Sequence, residues 1–155
     1  MAFLLFLGMI IPNSKNLFQN FRKSELITLP EIGDAMGKLN FWENMDLFPN
    51  GIRRCFWITE VKGEKPRGSH AHYLESQVIV ALAGKLKVRV EGLDQSVSVF
   101  EINQTNQGIY IPPLNWVDVW FEDRAVLLGL SDREFSENDY IRDKGNFGDL
   151  QKDYQ

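Results

Sequence analysis

The sequence contains one cysteine, Cys55, and two histidines, His70 and His72. A single cysteine excludes an internal disulfide and any zinc site built from several cysteines, which fits a reducing cytoplasm. Its neighbours Phe56 and Trp57 favour an inert thiol on a strand. Two histidines cannot form a metal site by themselves, because a stable site needs three or four donors.

Long apolar and long basic runs are also lacking. The formal net charge is −4 and lysine and arginine never cluster, which disfavours a nucleic-acid partner. The apolar start MAFLLFLGMIIP is shorter than the roughly 20 residues of a membrane-spanning helix. It also lacks the basic start and cleavage site of a secretory signal. We therefore expect no membrane partner, and we interpret residues 1–24 as an apolar arm covered by the protein or by a second subunit. A true start at Met9 is the alternative.

Strand-like runs fill the middle of the chain. Seven short runs are rich in β-branched or aromatic residues and are bounded by Gly, Pro, Asn or Asp: RRCFWITEV, SQVIVALAG, KLKVRVEGL, SVSVFEI, GIYIPP, WVDVWF and AVLLGLS. The run KLKVRVEG alternates strictly, which predicts a strand with one wet face, whereas VIVALAG is apolar throughout and predicts a buried strand. A helical period is absent, although SKNLFQNFRKSE can form one or two amphipathic turns. These features predict a small all-β domain, a sandwich or barrel of antiparallel sheets.

The stretch RGSHAHYLESQ holds both histidines. Residues i and i+2 of a strand point to the same face, so His70 and His72 are expected to project together. Three roles are open to them: ligands of a metal together with a carboxylate, an acid/base pair, or solvated residues at a loop-to-strand junction. Imidazole titrates near neutral pH and can give and take a proton within one turnover, which favours acid/base chemistry.

The spacing around the histidines resembles the first motif of the cupins, which are small jelly-roll barrels. The pattern is HAH, four residues, Gln77, six residues and Gly84. Gln77 stands where cupins carry a glutamate, and IPPLNWVDVW lacks the histidine of their second motif. A metal-binding cupin would therefore lack two of its usual ligands.

Three longer stretches resemble the WxcM-like or FdtA-like sugar 3,4-ketoisomerases, a group of cupins. They are KGEKPRGSHAHYLESQVIVALAGKLKV, GIYIPPLNWVDVW and SDREFSENDYIRDKGNF. The resemblance implies a cupin-type double-stranded β-helix (jelly roll) over residues 25–150, cytoplasmic and homodimeric. It implies an enzyme without metal or other cofactor that shifts the ketone of a dTDP-4-keto-6-deoxyhexose between C4 and C3 through an enediolate, in deoxysugar and polysaccharide biosynthesis.

The resemblance also suggests the site residues. His70 and His72 would be the acid/base pair. Four residues would bind substrate: Arg54, Arg67, Gln77 and Trp116. The two arginines suit a diphosphate, because a guanidinium is a planar, multidentate donor. Trp116 would stack on the base or wall the sugar, and Gln77 would bind a sugar hydroxyl or a histidine. Tyr140 and Arg142 are expected to fix the C-terminal segment to the barrel.

Two positions depart from the family pattern. The chain reads DAMG where the family has an arginine, so Met36 replaces it, and Val117 stands in place of a histidine. Asp118 can substitute for that histidine only if the strand slips by one residue, which normally turns a side chain to the other face. A non-catalytic nucleotide-sugar-binding cupin and a related sugar epimerase are therefore alternatives.

Overall fold

The computed structural model describes residues 5–6, 9–10, 14–44 and 46–155. Within this part of the chain, twelve strands are present: β1 (Leu5–Phe6), β2 (Met9–Ile10), β3 (Glu25–Thr28), β4 (Glu31–Asp34), β5 (Gly37–Asn40), β6 (Arg54–Ile58), β7 (Arg67–His72), β8 (Gln77–Gly92), β9 (Val97–Ile102), β10 (Gln107–Ile111), β11 (Asn115–Ser131) and β12 (Tyr140–Ile141). The helices there are α1 (Ser14–Phe18), a 3-10 helix (Glu137–Asp139) and α2 (Lys144–Tyr154).

Two long antiparallel strands, β8 and β11, organise the barrel. They pair from Asn115 opposite Gly92 to Ser131 opposite Gln77, and each bends near its middle. On one side of the bend, β7 pairs with β11 and β9 pairs with β8. On the other side, β6 pairs with β11 and β10 pairs with β8, with β3 next to β10. The bent pair thus contributes to two facing layers, which confirms the predicted all-β jelly roll.

The predicted burial of the central strands is largely confirmed. In β8, Leu86, Val88 and Val90 are buried, whereas the lysines and arginine between them are partly or fully exposed. The first four residues of VIVALAG are buried as well, but Leu82 is half exposed. The main core lies between the layers and continues into the cavity described below.

Two features of the fold differ from the sequence predictions. The four runs SQVIVALAG, KLKVRVEGL, WVDVWF and AVLLGLS form two strands rather than four. The C-terminal helix α2 was not predicted, because Gly145 and Gly148 weaken its helix propensity. It is fixed by Asp143, whose side chain accepts a hydrogen bond from the Asn146 N–H, and by the buried Phe147. The predicted turn near residue 14 is present as α1.

The expectation for the apolar N-terminus lies largely outside the described residues. Within it, β1 and β2 pair with each other, Leu5 opposite Ile10 and Phe6 opposite Met9. No helix in the described ranges has both the length and the apolar character needed to cross a membrane.

Candidate active site

A cavity of about 460 Å³ opens between the two layers. Its apolar lining includes Phe56, Ile79, Ile111, Val119 and Leu127. Its polar lining consists of Arg67, Ser69, His70, His72, Glu75, Gln77, Asn115, Tyr140 and Arg142. A concave, mostly apolar site with a few convergent polar groups is typical of small-molecule binding.

Strand β7 carries both histidines into this cavity. Their ring centroids lie 5.0 Å apart, and Ala71 between them is buried in a different cluster, beneath α2. The strand alternation that predicted a shared face is therefore confirmed. Just before them, Gly68 and Ser69 have positive φ angles, opposite an irregularity of register between Val117 and Asp118.

Burial makes His70 a neutral imidazole at neutral pH. The pKa of His70 is lowered from 6.5 to about 4, mainly by desolvation and then by electrostatic repulsion from His72, Arg142 and Arg54, against a backbone hydrogen bond at Gly68. Its Nδ1 atom is buried and has no hydrogen-bond partner among the described residues. A neutral ring with an unoccupied nitrogen can accept a proton.

The surroundings of His72 are different. Its Nδ1 atom lies 3.3 Å from Oδ2 of Asp139, and its Nε2 atom lies 3.4 Å from the amide nitrogen of Gln77. Asp139 also accepts the backbone N–H groups of Leu74 and Glu75. His72 is therefore held between a fixed carboxylate and a side-chain amide.

A buried ion pair lies behind the histidines. Arg54 donates to Oε1 of Glu75 at 2.7 Å, and Glu75 is only 1% exposed. Gln77 donates to the same carboxylate oxygen. Arg54, a predicted substrate-binding residue, therefore does not line the cavity, and its charge is balanced by Glu75. Gln77 lines the cavity and contacts His72.

One group of possible metal ligands is found in the described part of the chain. Single ligand atoms of His72, Glu75 and Asp139 lie within 4.8 Å of one another. The carboxylates are already engaged, by the guanidinium of Arg54 and by two backbone N–H groups. The three side chains therefore belong to a hydrogen-bonded network in which the carboxylates already have donors.

Tyr140 and Arg142 combine two roles. Strand β12 pairs with β7, Tyr140 opposite His72, so this segment is attached to the barrel as expected. The side chains also line the cavity: the Tyr140 ring lies 4.2 Å from the ring of His72, and the Arg142 guanidinium lies 4.1 Å from the Tyr140 ring centre. Exposed Arg67 and Arg142 are the cationic groups of the cavity lining.

Trp116, another predicted substrate-binding residue, lies elsewhere. It is 5% exposed, packs on Phe147 beneath α2, and does not line the cavity. The physical reason is the alternation of β11, in which Asn115, Val117 and Val119 face the cavity and the residues between them face away. Its predicted stacking on the substrate is therefore not supported.

Of the positions discussed as departures from the family pattern, one lines the cavity and two lie outside it. Val117 lines the cavity, so no acid or base stands there. Asp118 points away from it, accepts a hydrogen bond from Ser69 and lies 3.7 Å from Arg89, and so does not replace the missing histidine. Met36 is 93% exposed in the turn between β4 and β5, outside the cavity lining.

The sequence did not indicate Glu75 and Asp139 as site residues. A carboxylate near an apolar strand is an ordinary surface residue in most sequences, and 67 residues separate Asp139 from His72. The available signal was that Glu75 and Asp139 each lie in a stretch that resembles the family.

A jelly-roll barrel with two histidines inside its cavity defines this protein as a cupin. The particular family follows from comparison: the chain belongs to the family described as FdtA, WxcM-like, C-terminal, whose model matches residues 22–152.

Two similar proteins have related names. The chain is 31% identical, over 81% of its length and 90% of the relative's, to TDP-4-oxo-6-deoxy-alpha-D-glucose-3,4-oxoisomerase of Aneurinibacillus thermoaerophilus. It is 33% identical to the solved structure of QdtA, a sugar 3,4-ketoisomerase from Thermoanaerobacterium thermosaccharolyticum in complex with TDP, with a TM-score of 0.77 over 84% of this chain and 95% of that one. A histidine-to-asparagine mutant of QdtA in complex with TDP-4-keto-6-deoxyglucose is 32% identical, with the same TM-score over 84% of this chain and 94% of that one.

Proposed function

We propose that this protein is a nucleotide-sugar 3,4-ketoisomerase that moves the ketone of a TDP-4-keto-6-deoxyhexose from C4 to C3 in deoxysugar biosynthesis. The observation that supports it most is the pair of unlike histidines in the cavity of a chain belonging to this family. The names of the relatives supply the substrate class.

The reaction is an exchange of protons between neighbouring atoms. A base removes the proton of C3, the C–H electrons form the C3–C4 double bond, and the O4 oxygen gains a proton. The resulting enediol then loses the O3 proton as C4 gains one. The product is an isomer with a ketone at C3 and a hydroxyl at C4, so no electron acceptor is consumed.

We assign the C3 proton to His70. Its lowered pKa keeps it neutral at neutral pH, and its buried Nδ1 atom is unoccupied among the described residues. His70 gives this C3 proton to O4, and His72, with a ring centroid 5.0 Å away, takes the proton of O3 and delivers it to C4. Two neighbouring imidazoles suit a proton that leaves one carbon and another that arrives at the next.

The diphosphate is assigned to Arg67 and Arg142. Both are exposed arginines in the cavity lining, Arg142 in an exposed ion pair with Glu137, and arginine is the side chain best suited to bind phosphate oxygens. Arg54 would act on the site through Glu75, and Gln77 would contact the sugar while it holds His72.

The test is product formation. The wild-type protein is incubated with TDP-4-keto-6-deoxyglucose and the sugar is followed by NMR, with Cys55→Ser as the control because Cys55 is exposed on β6. We expect a 3-keto product from both, and a loss of about 100-fold or more in kcat for His70→Asn and for His72→Asn, the usual contribution of a general acid or base.

A second candidate is a nucleotide-sugar-binding cupin without turnover, which is favoured by Val117 in the cavity where the family has a histidine. Saturable binding of the sugar nucleotide with no conversion would support it and contradict the enzyme. A product that keeps the C4 ketone but is inverted at C3 or C5 would instead indicate a sugar epimerase.

Further expectations concern conditions and assembly. We propose that the reaction needs no metal or other cofactor, because it moves only protons, so dialysis against a chelator should leave kcat unchanged.

We also propose a homodimer, since Ile32, Met36 and Leu39 are exposed apolar residues on one hairpin. Sedimentation equilibrium measures this. A cytoplasmic location and a role in O-antigen synthesis complete the proposal, and cell fractionation tests the location.

A further inference from the structure

We propose that Asp139 is a positioning residue that holds His72 in the tautomer with its proton on Nδ1, so that Nε2 is the nitrogen that handles the substrate proton. The effect on catalysis rests on the proposed function. The tautomer itself does not, because it is fixed by contacts within this chain.

The carboxylate of Asp139 is held in place by main-chain hydrogen bonds, independently of its contact with His72. It is 2% exposed, its Oδ1 atom accepts the Leu74 N–H at 2.8 Å, and its Oδ2 atom accepts the Glu75 N–H at 3.0 Å. The main chain therefore holds both oxygens. Oδ2 lies 3.3 Å from Nδ1 of His72. An ionised carboxylate only accepts hydrogen bonds, so this contact is favourable when Nδ1 carries the proton.

The other side of the ring favours the same tautomer. The amide nitrogen of Gln77 lies 3.4 Å from Nε2 of His72, and the same nitrogen donates to Oε1 of Glu75. Because the Glu75 carboxylate is an acceptor, the Gln77 atom that faces both groups is the NH2 donor. A lone pair on Nε2 can accept from it, whereas a proton on Nε2 would face another donor.

Glu75 does not compete for this role. Its Oε2 atom is 3.9 Å from Nδ1 of His72, beyond hydrogen-bond distance, and its Oε1 atom is bound to Arg54 and Gln77. The ion pair with Arg54 balances the charge of Glu75, which leaves Asp139 as the carboxylate that acts on the ring.

His70 shows the contrast. It has no carboxylate partner at Nδ1 among the described residues. The two histidines are separated by one residue in the sequence, but in the structure a carboxylate contacts Nδ1 of His72 and none contacts Nδ1 of His70 among the described residues. Orientation of a catalytic imidazole by a carboxylate at its other nitrogen is a general device for fixing tautomer and direction.

The first test is the tautomer of His72 in the wild-type protein. With only two histidines in the chain, two-bond and three-bond proton–nitrogen NMR correlations resolve both rings, and His70→Asn assigns them. At a pH high enough for the ring to be neutral, we expect His72 to be protonated at Nδ1 and unprotonated at Nε2. Protonation at Nε2 alone would overturn the proposal, whether or not the protein is an enzyme.

The second test is Asp139→Asn, compared with Asp132→Asn. Asp132 also accepts a backbone N–H, that of Ser76 at 2.9 Å, but does not contact His72. We expect Asp139→Asn to populate the Nε2–H tautomer and to lower kcat by at least about tenfold with KM within about twofold, while Asp132→Asn changes neither. An unchanged tautomer and kcat in folded Asp139→Asn would contradict the proposal. If Asp139→Asn does not fold, the tautomer measured in the wild-type protein still tests the proposal. A protein that has the expected tautomer but is inactive on every keto sugar would contradict only the proposed enzymatic function.

Discussion

At the scale of single residues, His70 and His72 are chemically the same but lie in unlike environments. His70 has arginine neighbours and a buried Nδ1 atom that finds no hydrogen-bond partner in the described part of the chain, whereas His72 has a carboxylate at one nitrogen and an amide at the other. Proton removal and proton return place different demands on a side chain, and these two environments fit different steps.

The lowered pKa of His70 can be measured directly. In a proton NMR titration of the folded protein we expect the His70 ring to titrate near pH 4, because burial and nearby positive charges disfavour the imidazolium. The urea-unfolded protein is the control, in which the ring should titrate near its ordinary value of 6.5. A midpoint near 6.5 in the folded protein would contradict the environment described above.

The lowered pKa of His70 also makes the free energy of unfolding depend on pH. Between pH 6.5 and about 4 the unfolded chain binds a proton at His70 that the folded protein does not. The contribution of His70 to stability is therefore complete above pH 6.5 and is lost as the pH falls toward 4. Denaturant unfolding at several pH values should show a His70-dependent decrease in this range, and it should be absent in His70→Asn.

The sequence alone predicted the orientation of the two histidines but not that of Trp116. The period of a strand placed both histidines on one face without any tertiary information. It did not determine the phase of WVDVWF, where both alternating sets contain large apolar side chains, so Trp116 was placed in the site while Val117 lines it. Asp118, which shares the face of Trp116, was a polar signal that this face lies outside the cavity.

At the scale of elements, the bend of β8 and β11 defines the barrel. Gly84 has φ +66°, and a Cβ atom there would lie 2.6 Å from the backbone of Ala125. The sequence predicted separate strands on either side of this glycine and on either side of the charged segment opposite it. The register shows instead that the strands bend and continue to pair on either side of the irregularity, and this depends on contacts between distant residues.

Two glycine substitutions should therefore have opposite effects. We expect Gly84→Ala to destabilise the protein by about 2 kcal/mol, because it combines an unfavourable backbone angle with a backbone clash. Gly148→Ala in α2, where a Cβ would have open space, should stabilise it by about 0.5–1 kcal/mol. Urea unfolding measures both, and a tolerated Gly84→Ala would contradict the close approach of the two strands.

The C-terminal segment is the other element that defines the site. The 3-10 helix and β12 bring Asp139 and Tyr140 to His72 in consecutive residues. The sequence indicated a role in attachment for this segment. Its contribution to the cavity required the pairing of β12 with β7, which no local pattern contains.

At the scale of the whole molecule, the jelly roll collects side chains from six strands around one cavity. The strand-rich composition predicted an antiparallel barrel or sandwich, and the resemblance of three stretches narrowed it to one family. Neither argument could predict the network of Arg54, His72, Glu75, Gln77 and Asp139, because its hydrogen bonds join three separate segments of the chain.

The central claim is that His70 removes the C3 proton and His72 completes the isomerisation. The most direct measurement is NMR of TDP-4-keto-6-deoxyglucose in D2O with wild-type protein and with each single asparagine variant. We expect the wild type to give a 3-keto product with deuterium at C4, His72→Asn to exchange the C3 proton of the substrate without forming product, and His70→Asn to do neither. Exchange at C3 by His70→Asn at the wild-type rate would contradict the assignment.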